Sequence, residues 1–540
     1  MRRPALLLLL LSIFATAIVH GRTLGFDLTV YDYYLLHPWS LSTLGSAWHG
    51  SWDSTGVTEP FYRPLTAMNH AALFYLFGLN ARAMFVVSLA ESALVTWLLA
   101  LVVLRERGSV WLASVAALLY IVHPSRPDST MGWVLGQQNL QSCLIVLASL
   151  LVWQKCRTGS ARAWWPIGVL ATVGLLIKED VILIVPALIA LQVIWSRWVD
   201  DVPPQSRALL AGATIWGLVI GGVRVGISHY PFTTPGEQWW PVEYWPEGLV
   251  TVLRGPYHAV LSVAAAPWPM NEWFASASMT ILCVAGLVAA LARPTRPTRR
   301  LFAIGFVLLA CFDVTALFRD PRWRDHLMTV AGVFVLTGSV AALFDAPSPL
   351  IRRAAVVGVV IALCFMNGAS GRALNDYAPC ADFNRIGNAE DSDTGDVPPL
   401  EMKYWLRQKD GRCAAGTLQR MTRSLDYAVW SAGARRPDGT RPIGPHTVAL
   451  VSNSAAAVGV RVRDADASPE MPVSLSIAAD GATRVRFTLT SAEWREVWIP
   501  LPRGVWSWLR DMHRVDIDLT DHLGVTPANG ELARLELKAR

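Results

Sequence analysis

Side chains able to do acid–base, phosphate-holding or sugar-stacking chemistry crowd into a few short stretches of the chain. Asp27, Asp32, His37, Asp53, Tyr62 and Arg63 form the first, and His123, Arg126 and Asp128 the second. Lys178, Glu179 and Asp180 are consecutive and stand between two apolar runs. Arg224, His229, Glu237, Glu243, Arg254 and His258 make a fourth group, and Arg319, Asp320, Arg322, Arg324, Asp325 and His326 a fifth. An arginine grips phosphate oxygens through a fork of N–H donors, whereas a lysine offers a point charge. Lys178, and Arg322 and Arg324 on either side of Trp323, therefore suit an anionic head group at membrane depth. Trp239, Trp240, Tyr244 and Trp245 cluster in a stretch broken by proline. Flat apolar faces beside hydrogen-bonding groups suit a sugar ring or a polyprenyl chain. Taken singly, each charge reads as a solvated loop residue and each tryptophan as part of an interfacial belt. The set is harder to explain that way, because the stretches are short and abut apolar runs.

The elements that would position these groups follow from composition. The 540 residues are 53% hydrophobic and 16% charged, with a mean hydropathy of +0.36. Ordinary soluble domains carry about 25% charged residues, so this chain lacks the polar surface to dissolve one large core. The same arithmetic excludes a disordered chain or a coiled coil. A crossing needs roughly 17 to 25 mostly apolar residues. About eleven such stretches are present, near 4–19, 82–104, 109–123, 134–153, 163–177, 181–196, 208–227, 273–292, 301–318, 326–345 and 354–370. Arg2 and Arg3, Arg105 and Arg107, Lys155, Arg157 and Arg162, Arg197 and Arg207, Arg293 to Arg300, and Arg352 and Arg353 flank them on one side. Positive residues mark cytoplasmic loops, so the N-terminus is expected in the cytoplasm and the reactive stretches on the exported face. The net charge of +6 is thereby a topology signal, and no nucleic-acid partner is expected. Ala15-Thr16-Ala17 leaves a cleaved signal peptide as an alternative for the first stretch. Glu91 is the clear carboxylate inside a span.

Residues 371–540 are of different material. An acidic, turn-rich stretch from Asn388 to Pro399 precedes short alternating runs at His446–Val451, Val458–Val462, Val473–Ile477, Val485–Leu489, Trp494–Leu501, Val515–Leu519 and Leu532–Leu537. Short strands at regular spacing with turn residues between them read as an antiparallel sandwich or jelly roll. The expected organisation is a polytopic α-helical membrane region over 1–370, an exported linker over 371–440 and an exported β-sandwich domain over 441–540. Trp494, Trp498 and Trp506 fit either its core or a sugar-binding surface.

The segment Phe61-Tyr62-Arg63-Pro64-Leu65, followed by Gly78-Leu79-Asn80, resembles a stretch of the GT-C glycosyltransferase superfamily. More narrowly, it resembles the transmembrane O-mannosyltransferases that carry tetratricopeptide repeats, together with their bacterial relatives. Tyr31-Asp32 stands where that family has an aromatic-Asp element. His123-Pro124 with Asp128 and Trp133-Val134 matches its His-Pro segment, and Lys178-Glu179 with Pro186 matches a later Lys-Glu. The resemblance covers about residues 20–200. Three departures stand out: Asp32-Tyr33 replaces an Asp pair, Gln137-Gln138-Asn139 replaces an Arg-x-Asp, and the repeats are absent.

The resemblance implies an enzyme of the bacterial inner membrane. It would move a hexosyl or pentosyl group, with inversion, from a polyprenyl-phosphate donor to a protein, glycan or lipid hydroxyl on the periplasmic or extracellular face. Asp32 takes the place of the general base, with Asp128 as a second acid. Lys178, Arg322, Arg324 and Arg63 are candidates for the donor phosphate, Arg63 alternatively bracing the loop. Trp239, Trp240, Trp245 and His123 are candidates for sugar or lipid. No cofactor is expected, with a divalent ion the open alternative. Membrane lipids are the remaining partner. The rival classes are a transporter or flippase of lipid-linked saccharides, which calls for polar groups near the midplane, and a non-enzymatic component.

Cys143, Cys283, Cys311 and Cys364 lie in apolar stretches and Cys156 beside a basic cluster, which leaves Cys380 and Cys413 in the exported part. An oxidising compartment lets them pair. Non-reduced peptide maps of the purified chain should contain a Cys380–Cys413 cross-linked peptide that reduction abolishes; identical maps before and after reduction would rule the bridge out.

Overall fold

The computed structural model describes residues 2–25, 41–49, 62–78, 80–126, 130–132, 134–156, 165–195, 212, 222, 270–293, 295–313, 325–376, 427–432, 441–452, 455–479, 482–501, 512–521 and 530–539. The chain divides into two units, one of Met1–Thr23, Leu44–Ala67 and Val86–Asp376, the other of Leu24–Thr43, Met68–Phe85 and Tyr377–Arg540. The described helices are α1 (Arg2–His20), α2 (Leu41–Ser46), α3 (Pro64–Phe77), α4 (Ala81–Arg107), α5 (Val110–Ile121), α6 (Gln137–Cys156), α7 (Trp165–Ile177), α8 (Ile184–Ile194), α9 (Met270–Ala292), α10 (Arg296–Asp313), α11 (Asp325–Phe344) and α12 (Pro349–Asp376).

Every expected span that the described residues cover contains a helix; the stretch 208–227 lies outside them. Among the described residues, five helical stretches are long and apolar enough to cross a membrane: Arg3–Gly25, Ala81–Arg107, Gln137–Cys156, His326–Phe344 and Pro349–Gly371. Val110–Ile121, Trp165–Ile177 and Ala277–Ala292 are apolar but shorter. At 1.5 Å per residue, a helix the length of α5 covers roughly 18 Å of a ~30 Å hydrocarbon layer. Helix α3 was not among the expected elements. Pro64 opens it at the first helical position, where the missing N–H costs nothing.

Burial along the outer helices shows what surrounds them. In α1, Leu8, Ser12, Thr16 and His20 are buried at four-residue spacing, while Leu6, Leu7, Phe14 and Ile18 are exposed. In α12, Ala355, Val359, Ala362, Met366 and Ala369 face inward and Leu350, Val357 and Val360 outward. Large aliphatic side chains outside and hydroxyls and imidazole inside invert the soluble pattern, and a lipid surround accounts for it. Helix α11 is buried along nearly its whole length and packs against α5, α6, α9, α10 and α12.

Close approach to α11 depends on small residues. An added Cβ at Gly305 of α10 would stand 2.6 Å from Val335 Cγ2 and 2.8 Å from Val335 N. Small residues at such crossings let helix backbones approach in lipid, where no hydrophobic force drives association.

One end of the bundle gathers its basic clusters. Arg107 pairs with Asp345, whose Oδ2 also accepts from Thr295 Oγ1 at 2.7 Å and Thr298 Oγ1 at 3.1 Å. Glu106 accepts from Gln154 Nε2 at 2.6 Å and faces Arg300 at 3.9 Å, and Arg105 donates to the Leu151 carbonyl at 2.9 Å. Gly108, at φ 70°, ends α4 with its N–H on the Leu104 carbonyl at 2.7 Å. Ser109 then caps α5 by accepting from Leu112 N at 3.2 Å.

In the second unit, β1 (Tyr427–Ala432), β2 (Arg441–Ser452), β3 (Ala455–Asp464), β4 (Val473–Ala479), β5 (Ala482–Leu489), β6 (Arg495–Pro500), β7 (Met512–Asp521) and β8 (Gly530–Ala539) form one hydrogen-bonded sheet. The order is β5-β4-β7-β2-β8-β3-β6, with β1 on β2, and all pairings are antiparallel. Strand β1 falls within the stretch expected as linker; each of the seven expected runs overlaps a strand. Val473, Leu475, Ile477 and Ala479 alternate inward on β4. They share one core with Val458, Val460 and Val462 of β3, Ile499 of β6 and Val515, Ile517 and Leu519 of β7. Trp498 is not part of it. Its ring lies outside, on Gly459 across the strand pair, and its Nε1 donates to Glu496 Oε1 at 2.9 Å. Arg463 stacks on Trp494 at 4.5 Å. Trp506 lies outside the described residues.

Replacing Gly305 by Leu should lower the thermal stability of the detergent-purified chain, the strain costing about 1–3 kcal/mol. Gly368→Ala, at a position with nothing within 4 Å, should leave the midpoint near that of the parent chain.

Candidate active site

The site is built where α7 ends. Ile177 is the last helical residue, Lys178 is extended at φ −156° and ψ 137°, and Glu179–Leu183 turns as a short 3-10 helix into α8. This break puts three ionisable residues in succession, all nearly excluded from solvent: Lys178 at 1%, Glu179 at 3% and Asp180 at 7% exposure. Glu179 and Asp180 sit in the first turn of the 3-10 helix, where free N–H groups favour negative charge.

Three other segments supply partners. Arg63, just before α3, donates from Nε to Glu179 Oε2 at 2.9 Å and from Nη2 to Glu179 Oε1, while its Nη1 donates to Gln138 Oε1 at 3.1 Å. Thr66 Oγ1 donates to the Ile177 carbonyl at 2.8 Å, tying the start of α3 to the end of α7. Lys178 Nζ donates to Asn139 Oδ1 at 2.6 Å and stands 3.6 Å from Asp180 Oδ2. Gln138 and Asn139 are neighbours in the first turn of α6, so the arginine and lysine systems meet on one helix end. Gln137, before them, donates to Ser88 Oγ of α4 at 3.0 Å.

The two cations differ chemically. The Arg63 fork is spread over both Glu179 oxygens and Gln138, which suits a brace joining the residues before α3 to the break after α7. Lys178 has a short bond to a neutral amide oxygen and a longer ion pair to Asp180. Its ammonium is a point charge that can turn toward a phosphate oxygen, whereas the paired contacts of the guanidinium fix its direction.

His123, which follows α5, belongs to a second network. Its Nδ1 shares a hydrogen bond with Ser125 Oγ at 2.8 Å, and Ser125 Oγ shares one with Thr329 Oγ1 of α11 at 2.5 Å. Arg126 is buried in the bundle, with Nη2 donating to Ser92 Oγ at 2.6 Å, Nε to Thr130 Oγ1 at 3.2 Å and the guanidinium 4.2 Å from the Tyr120 ring centre. Glu91 accepts from Gln141 Nε2 at 2.9 Å.

Of the candidate residues, Arg63, Lys178 and His123 are among those described. Asp32, Asp128, Arg322, Arg324, Trp239, Trp240, Trp245, Cys380 and Cys413 lie outside them. Gln138, Asn139, Glu179 and Ser92 had been given no role. Gln138 and Asn139 stand at a departure from the resembled pattern, which was their only signal. Ser88 and Ser92 are one helical turn apart on α4, a pairing visible in the spacing alone.

Residues 59–219 match the family described as dolichyl-phosphate-mannose-protein mannosyltransferase, less than a third of the chain but including Arg63, the α6 start and Lys178. No curated protein sequence matches the chain. Among solved structures, the arabinosyltransferase EmbB from Mycobacterium smegmatis aligns at 12% identity over 98% of this chain and 64% of its own, with a TM-score of 0.35. ArnT from Cupriavidus metallidurans aligns at 12% identity over 72% of this chain and 81% of its own, with a TM-score of 0.36. The chain thus spans less than two thirds of the length of EmbB, and alignments at these scores add no weight. The helical membrane region, with its buried polar site, resembles the GT-C superfamily of membrane glycosyltransferases. Over residues 59–219 the resemblance narrows to the dolichyl-phosphate-mannose-protein mannosyltransferase family.

Removing one partner of a buried ion pair strands the other charge, at a cost of about 3–5 kcal/mol. Glu179→Ala should therefore lower the thermal midpoint and the yield of folded protein far more than Glu496→Ala, whose exposed carboxylate accepts from an exposed tryptophan. Equal midpoints for the two variants would remove the brace.

Proposed function

We propose that the chain is an inverting glycosyltransferase of the cell membrane. It moves a hexosyl or pentosyl group from a polyprenyl-phosphate donor to an acceptor hydroxyl on the exported face. The observation that carries this reading is the buried Lys178–Asn139 contact beside the Arg63–Glu179–Gln138 brace, inside the stretch that matches a family whose description includes a dolichyl-phosphate-linked sugar. A lysine ammonium at a break between two apolar helices meets a lipid phosphate without drawing water into the bundle.

Chemically, the acceptor oxygen forms a bond to the anomeric carbon as the bond from that carbon to the phosphate oxygen breaks. The acceptor proton passes to a base, and polyprenyl phosphate leaves with the bonding electrons. Asp32 is proposed as that base, by its place in the resembled pattern. A carboxylate near its ordinary pKa of about 4 gains most from alignment, accepting the proton as the new bond forms. Lys178 holds the departing phosphate, joined by Arg322 and Arg324, and Arg63 holds the frame. Asp128 is a second acid, and Trp239, Trp240, Trp245 and His123 are proposed to line the sugar and lipid path. The atoms balance without a metal or organic cofactor. The acceptor hydroxyl belongs to a protein, a glycan or a lipid, and the C-terminal sheet, read as a sandwich, is proposed to be exported.

Full-length protein in lipid nanodiscs, supplied with polyprenyl-phosphate sugars, should release polyprenyl phosphate and glycosylate an added acceptor. Asp32→Asn should slow turnover about 10²–10⁴-fold with little effect on donor binding. Lys178→Met should weaken both donor binding and turnover. Unchanged turnover in Asp32→Asn would remove it as the base, and absence of transfer from any polyprenyl-phosphate sugar would overturn the reading.

A further inference from the structure

Among the described residues, buried and half-buried cations in the bundle are answered by carboxylates. Arg63 has Glu179, Lys178 has Asp180, Arg107 has Asp345 and Arg300 has Glu106. Arg126 stands apart. It is 1% exposed, and its partners are two hydroxyls, Ser92 and Thr130, and the Tyr120 ring. Its Nη1 is buried without a hydrogen-bond partner among the described residues.

A guanidinium taken out of water without a counter-charge is costly, and hydroxyl dipoles and a π face repay only part of that cost. Such a group is retained where an anion arrives from outside the fold. The second cation of the site is linked to it through α4 and α6: Ser92, which accepts from Arg126, stands one helical turn from Ser88, which accepts from Gln137 at 3.0 Å, and Gln137 lies two residues before Asn139, the partner of Lys178.

We propose that Arg126 is a phosphate-binding residue for the lipid donor, its Nη1 donating to an oxygen of the phosphate that Lys178 holds. This rests on the glycosyl-transfer reading for the identity of the lipid; the anion site itself rests on the geometry. Ser92 and Thr130 orient the fork, and Tyr120 limits its rotation.

The test uses the full-length chain in phosphatidylcholine nanodiscs with farnesyl phosphate as probe and farnesol and inorganic phosphate as controls. Farnesyl phosphate should raise the thermal midpoint of the parent chain and farnesol should not. Arg126→Met should leave the midpoint without ligand unchanged or raised, because an unanswered charge has gone, and should weaken farnesyl phosphate binding at least about tenfold. Arg126→Lys should retain most of the binding. Binding by Arg126→Met equal to the parent's overturns the proposal. So does a fall in its midpoint that Asp128→Asn relieves, since that pattern identifies an internal ion pair. No binding of farnesyl phosphate by the parent chain overturns it as well. Arg126-dependent binding without sugar transfer would uphold the anion site and refute the glycosyltransferase reading.

Discussion

The bundle is organised around a desolvated ion pair. Arg63 and Glu179 are 2% and 4% exposed, and neither charge would survive there without the other. The pair's two-pronged geometry fixes direction as well as distance, so the residues that precede α3 and those that follow α7 are held in one orientation. Gln138 accepts from Arg63 Nη1, which brings in the first turn of α6. With that turn placed, Asn139 meets Lys178, and the lysine that would touch the lipid phosphate is positioned by contacts made mostly by its neighbours.

The bundle has two chemically different ends. Gln137 and Gln154 lie on α6, and at 1.5 Å per residue they are separated by roughly 25 Å, close to the thickness of a hydrocarbon layer. Gln154 belongs to the end where Glu106, Arg300, Arg105, Arg107 and Asp345 interlock. Gln137 to Asn139 belong to the end with Lys178 and Arg63. At the first, arginines pair with acids that threonine and glutamine side chains also hold. At the second, a lysine and an arginine pair with acids and also donate to the side-chain amides of Asn139 and Gln138. Among the described residues, amide oxygens that accept directly from the cations distinguish the second end from the first.

The sequence made the helices legible because an apolar run long enough for a membrane has few other uses. It was less informative about α3, whose Asn69 and His70 interrupt the run, and about the first strand, which lay in a stretch with no clean alternation. Strands β2 to β8 were legible from period-two patterning, since Val, Leu and Ile on one face must share a core. The place of Trp498 was not legible. A tryptophan in an alternating run fits the core equally well, and only the pairing of Gly459 with Trp498 leaves room for the ring on the outer face.

By itself the sequence determined that the chain is a membrane protein with a β-rich C-terminal part, and that reactive side chains collect beside span ends. These properties depend on composition and on spacing along the chain, which no fold can alter. It also singled out Lys178 and Arg63 as polar residues in apolar surroundings. Tertiary structure alone decided that Arg63 is consumed by Glu179 and Gln138, that Asn139 rather than an acid lies nearest Lys178, and that Arg126 has hydroxyls where a carboxylate would be expected. A charge's role in a low-dielectric interior depends on what lies within a few ångströms of it. Of these deciding neighbours, Ser92, Asn139, Gln138 and Glu179 are between 34 and 116 positions away in the chain.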